Sequence, residues 1–311
     1  MIDPIENTKA LHLQQGSSEC SLLPTVGGGI GGWSIGGQPM LRAATERSLA
    51  VEGAFGCGSF PLVPYSNRIG EGKFSWQGQD YSLARNFLPE PHAIHGVGFD
   101  RPWSVLACDD RSATLSLTHL PGSGWPWAFR ALQHYTLTDD SLCIDMEVVN
   151  LAPLAVPLAF GHHPYFPRDG AKLRFKAQQV WLSDDSGLPA LPVKPFEKYD
   201  YSSLSPVSKG DIDHCFTGWD GSAWISWDGA ARALEIKASE NLRCAVVCIR
   251  RDLSGFCFEP VGHLNDALNR RTDFGVPVAE PGAAFRAHIT LRAVDPAAVY
   301  GAARRNRGGP A

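Results

Sequence analysis

The sequence of 311 residues has eight cysteines, at 20, 57, 108, 143, 215, 244, 248 and 257, but no Cys-x-x-Cys pair. That absence removes the zinc-ribbon and dithiol-redox signatures. Thiols spread so widely over a chain of this length are expected to be reduced and mostly buried, not a disulfide framework. Cys244 and Cys248 stand in "RCAVVCI", a strand-like run that core packing explains better than zinc. Long apolar runs are also missing. The longest, from Leu151 to Phe160, is broken by Pro153 and Pro157 and is too short to span a bilayer. The opening "MIDPIENTKA" is acidic and polar, unlike a secretory signal, so a cytoplasmic protein is expected. The net charge of -4 is spread without long like-sign blocks, which argues against nucleic-acid and membrane partners. The one basic cluster, "AARRNRGGPA", reads as a flexible tail at 300–311.

Helix signals are scarce too. Short alternating segments recur instead, between turns supplied by 32 glycines and 23 prolines. "SLCIDMEVVN" sets Leu142, Ile144, Met146 and Val148 on one face, with Cys143, Asp145 and Glu147 on the other. "AKLRFKA" alternates Leu173 and Phe175 with Lys172, Arg174 and Lys176. "WISWDGAARALEIKA" predicts a hairpin turning at Asp228-Gly229, and "KFSWQGQDYSL" another around Gly78. No fixed-period repeat suggests a propeller or solenoid, and no linker divides the chain. The pattern predicts an all-β protein: a single large antiparallel domain of stacked sheets, its core running from about residue 20 to 296.

Residues able to do chemistry gather in five segments. They are "PLVPYSNRIGEG" with Asn67 and Arg68, "HAIHGVGFDRPW" with His92, His95, Asp100, Arg101 and Trp103, "GHHPYFP" with His162 and His163, "DIDHCF" with Asp211, Asp213 and His214, and "GFCFEPVGHLNDALN" with Glu259. In the last, Phe256 and Phe258 share one face by period two, so Cys257 and Glu259 share the other. A carboxylate in such a strand either reaches water or is buried for a purpose, with its pKa raised toward the range of a general base. In "GHHPYFP" the residue before the proline favours extended backbone, which sends the two imidazoles to opposite sides. They cannot then easily share one metal, and packing is the favoured explanation of His162. No His-Glu-x-x-His or His-x-His spacing accompanies them, so no metal is expected. The chain also lacks a Gly-x-Ser-x-Gly elbow, and "GGGIGG" at 27–32 is not a phosphate loop.

Taken together and in order, these motifs resemble the aldose 1-epimerase (mutarotase) family. "GGGIGGWSIGGQPMLR" resembles its first hairpin, "PYSNRIGEGKF" its Asn-Arg motif and "HAIHGVGFDRPW" its His-Gly segment followed by Trp. "GHHPYFP" is similar to its His-x-Tyr-Phe, "DIDHCF" to its Asp-x-x-Phe, "FEPVGHLNDALN" to its Glu segment and "EPGAAFRAHITL" to its last strand. The resemblance implies the galactose mutarotase-like β-supersandwich. It implies Glu259 as the general base at the anomeric hydroxyl and His163 as the acid at the ring oxygen. His95 would hydrogen-bond the same region of the sugar, while Arg68 and Asp213 bind hydroxyls with Asn67 in support. The implied partner is a monosaccharide substrate and no cofactor, and the protein would be a monomer or homodimer. The pH profile would have a carboxylate on its lower limb and a histidine on its upper one. Phe99, Trp103 and Tyr165 could offer apolar faces to the sugar. Where the family usually has proline, this chain has Asn265. Three other readings compete: a hexose-6-phosphate 1-epimerase using Arg42, Arg101 or Arg130, a glycoside hydrolase pairing Asp213 with Glu259, and a non-catalytic sugar-binding protein.

Overall fold

The computed structural model describes residues 10–299 apart from Ser254 and Arg271. The tail at 300–311 lies outside the described residues. Two large antiparallel sheets face each other. The first has nine strands, ordered Ser104–Cys108, Ser112–His119, Phe129–Leu137, Ser141–Asn150, Ala284–Val294, Ala233–Ala238, Ser222–Trp227, Ala171–Phe175 and Ser205–Pro206. The alternating segment "SLCIDMEVVN" is its fourth strand, with Leu142, Ile144, Met146 and Val148 buried. The Asp228-Gly229 hairpin forms, joining Ser222–Trp227 to Ala233–Ala238. The turn at Gly78 also forms: Gln77 and Gly78 both take positive φ, 51° and 80°, as a two-residue turn between right-twisted strands requires.

The second sheet runs Pro189–Val193, Gln179–Ser183, Ile212–Thr217, Cys244–Ile249, Gly255–Val261, Gly161–His162 and Pro61–Leu62, with Tyr165–Pro167 also paired to Gly255–Val261. Its inner face meets the nine-stranded sheet through Phe258 and Phe216, each edge-on to Phe175 with ring centres 5.0 Å apart. The other face of Gly255–Val261 is thereby left to build a site.

Two details differ from the sequence reading. Strands begin at Leu11, ahead of the expected core boundary near residue 20, and the glycine-rich run is the third strand of a meander, Leu11–Gln15, Ser18–Leu23, Gly29–Ile35 and Gln38–Pro39. Gly28 is needed there because a Cβ would stand 2.7 Å from the Trp103 ring, and its φ is +61°. Arg174, placed by alternation on a polar face, is buried. Its guanidinium lies 4.2 Å from the Trp224 ring centre and donates to the Val299 carbonyl at 2.9 Å, which satisfies the charge that alternation alone would send to solvent.

Candidate active site

Strand register builds the site. Asp213 lies opposite Cys248, Cys248 opposite Cys257, and Cys257 opposite Tyr165, so the four form one row across the sheet. Two residues along, Cys215, Val246 and Glu259 form the next row. Above them opens a cavity of about 490 Å³, and Asn67, Arg68, His95, His163, Asp213 and Glu259 all line it. The structure thus brings together the six residues to which the resemblance gives a catalytic or hydroxyl-binding role.

At its floor His163 Nε2 stands 3.3 Å from Glu259 Oε1. Both side chains are buried, Glu259 to 1% exposure, and Glu259 Oε2 and His163 Nδ1 have no hydrogen-bond partner among the described residues. The imidazole is stacked on Phe60 with ring centres 4.5 Å apart, and Tyr165 packs beside it at 4.8 Å. In this apolar clamp burial drives the His163 pKa down to about 3. Burial likewise raises the Glu259 carboxyl well above the usual carboxylate value, reinforced by Cys248 and Asp213 and opposed by Arg68. The expected order of the pH limbs is therefore reversed, with histidine on the acid side and carboxyl on the alkaline side. Between those limits the pair holds one mobile proton.

On one flank Asn67 and His95 both have positive φ, 54° and 59°, a conformation that costs non-glycine residues energy and persists where surrounding contacts enforce it. His95 Nδ1 accepts the Asn67 backbone N–H at 3.1 Å, which leaves the ring proton on Nε2. Burial, then the nearby His163 and Arg68, holds this ring neutral, with its pKa well below the ordinary histidine value. Arg68 donates to both carboxylate oxygens of Glu90, at 3.2 and 3.4 Å, and to Asn67 Oδ1 at 3.3 Å; its Nη2 lies 3.6 Å from Asp213. Burial works against the Arg68 charge, but Asp213 and Glu90 more than offset it. Asp266 braces this strand from behind: its N–H donates to the Arg68 carbonyl, and its carboxylate accepts from the Gly70 N–H at 2.9 Å.

Other sequence candidates lie elsewhere. His162 turns away from the cavity. Gln133 donates its amide to the Gly28 carbonyl, so its Oε1 accepts from His162 Nε2 at 3.0 Å, while the Ser59 hydroxyl bonds to His162 Nδ1. His92 accepts the Glu71 N–H and donates to the Ser186 carbonyl, and His214 accepts from the Ser183 N–H. Trp103 is wholly buried with its indole N–H on the Gly98 carbonyl, and Phe99 packs behind Phe60; neither lines the cavity, whereas Tyr165 does. Of the three arginines considered for phosphate, only Arg42 reaches the cavity. Its guanidinium lies over the Tyr165 ring at 3.8 Å and donates to the Phe55 and Cys57 carbonyls. Arg101 is near Asp100, and Arg130 is exposed on the first sheet.

Sequence reasoning missed Glu90, Phe55, Phe87 and the Arg250–Asp252 pair, which also line the cavity. They lie in loops or, for Phe55, in the short 3-10 helix Gly53–Gly56, with no periodic signal. It also argued against a metal from linear spacing, yet His163, Cys257 and Glu259 place ligand-type atoms within 4.8 Å of one another. Cys257 and Glu259 lie on Gly255–Val261 and His163 in the link between the two short strands paired to it, a meeting that no local motif can show.

The buried neutral histidines make a stability prediction. Burial lowers His162 and His163 to about 3 and His263 to about 4. The unfolded chain binds those protons near pH 6.5, so between about 6.5 and 3 the unfolded state carries more of them. Their contribution is complete above about pH 6.5 and is lost as pH falls, by up to about 1.4 kcal/mol per histidine per unit. Glu259, shifted upward, acts in the opposite sense but is a single group. Urea midpoints should therefore be clearly lower at pH 5 than at pH 7; equal midpoints would contradict the burial of these rings.

The aldose 1-epimerase family pattern matches residues 9–292, and the chain belongs to that family. The uncharacterized protein YphB of Escherichia coli K12 is 26% identical over 279 residues, covering 86% of this chain and 92% of that protein. Human galactose mutarotase is 27% identical over 156 residues, 47% of this chain and 44% of the mutarotase. Among solved structures, a galactose mutarotase-like protein from Clostridium acetobutylicum has a TM-score of 0.81 at 18% identity, covering 91% of this chain and 94% of its own. The aldose epimerase homologue from C. elegans has a TM-score of 0.80 at 16% identity, covering 92% and 99%. The fold is galactose mutarotase-like. No helix among the described residues is long and apolar enough to cross a membrane.

Proposed function

We propose that this protein is an aldose 1-epimerase that interconverts the α and β anomers of an unphosphorylated monosaccharide. The observation that carries the reading is the His163–Glu259 pair, 3.3 Å apart and buried at the floor of a polar cavity. Anomer exchange needs one proton removed at the anomeric oxygen and one delivered to the ring oxygen. Ring opening uses the tautomer that carries the pair's one proton on His163: the Glu259 carboxylate takes the first proton and the His163 imidazolium supplies the second, which leaves the pair in its favoured neutral form, with the proton on Glu259. The open-chain aldehyde rotates about C1–C2, and closure on its other face reverses the two roles. Because the pair shares one mobile proton, the net charge of the site is unchanged through the cycle, which suits a low-dielectric floor. His95 donates to the sugar through Nε2. Arg68 and Asp213, joined to each other and braced by Asn67 and Glu90, bind hydroxyls. No cofactor enters this scheme.

A hydrolase is disfavoured because the group beside Glu259 is an imidazole and the second carboxylate, Asp213, is held by Arg68. A phosphosugar is disfavoured by charge. The lining arginines Arg42, Arg68 and Arg250 are engaged by carbonyls or by Glu90, Asp213 and Asp252, and Glu52 adds a further negative group. Exchange measured on matched sugars should therefore favour free aldoses over their 6-phosphates by about tenfold or more, the loss expected from an unpaired buried charge. Exhaustive chelation should leave the free-aldose rate intact. A preference for the phosphate ester, or a rate lost on chelation and restored by a divalent ion, would overturn the proposal.

A further inference from the structure

The cavity floor holds one more ligand-type atom than proton transfer uses. Alternation puts Cys257 on the face of Glu259, and the neighbouring segment brings His163 over both. A His163 ring nitrogen, Cys257 Sγ and a Glu259 carboxylate oxygen all lie within 4.8 Å of one another, and His163 Nε2 stands 3.3 Å from Glu259 Oε1. Zinc-class ions bind such atoms at about 2.0–2.3 Å in tetrahedra, which sets neighbouring ligands about 3.5 Å apart. Binding requires the three atoms to draw together to that spacing. A second observation points the same way: Glu259 Oε2, on a side chain 2% exposed, has no partner among the described residues. Imidazole, thiolate and carboxylate together suit a borderline-soft ion and not magnesium or calcium, which favour all-oxygen shells.

We propose that His163, Cys257 and Glu259 form a site for one zinc-class divalent cation, and that its occupation blocks anomer exchange. The inhibitory half of this proposal rests on the epimerase reading above. The ion takes the Nε2 lone pair and the carboxylate, the two groups the proton transfers need, and its fourth position faces the cavity. Binding requires the Cys257 thiolate and the Glu259 carboxylate, so protons leave as the ion enters and affinity rises with pH. Cys248, directly across the strand pair from Cys257, stands outside the three-ligand set and serves as the control thiol.

The experiment uses full-length protein stripped with a chelator, titrated with zinc by calorimetry and with cobalt by absorption. One ion per chain is expected, with a thiolate-to-cobalt charge-transfer band that Cys257→Ser abolishes and Cys248→Ser retains. At free zinc about ten times the dissociation constant, exchange should fall about tenfold and return on chelation. Absence of stoichiometric binding, or a band unaffected by Cys257→Ser, would overturn the site. Zinc that accelerates exchange would overturn its inhibitory role and the metal-free mechanism together. If stripped protein exchanges no aldose at all, the epimerase reading falls, and the cobalt spectra still decide the site.

Discussion

Glu259→Gln is expected to lower anomer exchange by about 10²–10⁴-fold while sugar binding is nearly unchanged. Glutamine keeps the shape and the hydrogen-bonding reach of the side chain but cannot accept the anomeric proton. The fold should tolerate it well, because burial already favours the uncharged form of this carboxyl. The loss should appear in kcat and leave the affinity for sugar almost untouched. A well-folded variant exchanging at a near-normal rate would remove Glu259 from the chemistry.

The second large effect separates the adjacent histidines. His163→Ala removes the group facing Glu259, so exchange should again fall by about 10²–10⁴-fold. His162→Ala instead breaks the buried links to Ser59 and Gln133 and leaves a cavity, and should cost on the order of 2–4 kcal/mol in unfolding free energy. Its exchange rate per folded molecule should stay within about threefold of wild type. Kinetics and denaturant titrations on both variants check this. A His162 variant that is stable but inactive would mean that the wrong ring was assigned to the sugar.

The alternation in Ser141–Asn150 and in Gly255–Val261 made the sheets readable from the sequence, because period two is a local property. The same alternation put Glu259 on the face opposite the phenylalanines, and the proline after His163 separated the two imidazoles. The order of the sheets was not readable, since it depends on pairings between segments far apart in the chain. The side chains that lie over the site from loops were equally hidden. Glu90, which holds Arg68, and Phe55, which packs near Phe60 and His163, have no neighbours in sequence that announce their roles. Alternation also failed at Arg174, where an aromatic ring and a backbone carbonyl make burial of the charge tolerable. The His163–Cys257–Glu259 cluster was hidden for the same reason as the sheet order: its members meet only through cross-strand register.

The central claim is that Glu259 and His163 exchange anomers by proton transfer alone. Magnetisation-exchange NMR between the two anomer signals of free aldoses, with protein in the presence of excess chelator, tests it most directly. The account predicts exchange far faster than in buffer with wild-type protein, and exchange near the buffer rate with Glu259→Gln. Exchange at the buffer rate with wild-type protein across the aldose panel, or equal acceleration by the glutamine variant, would contradict it.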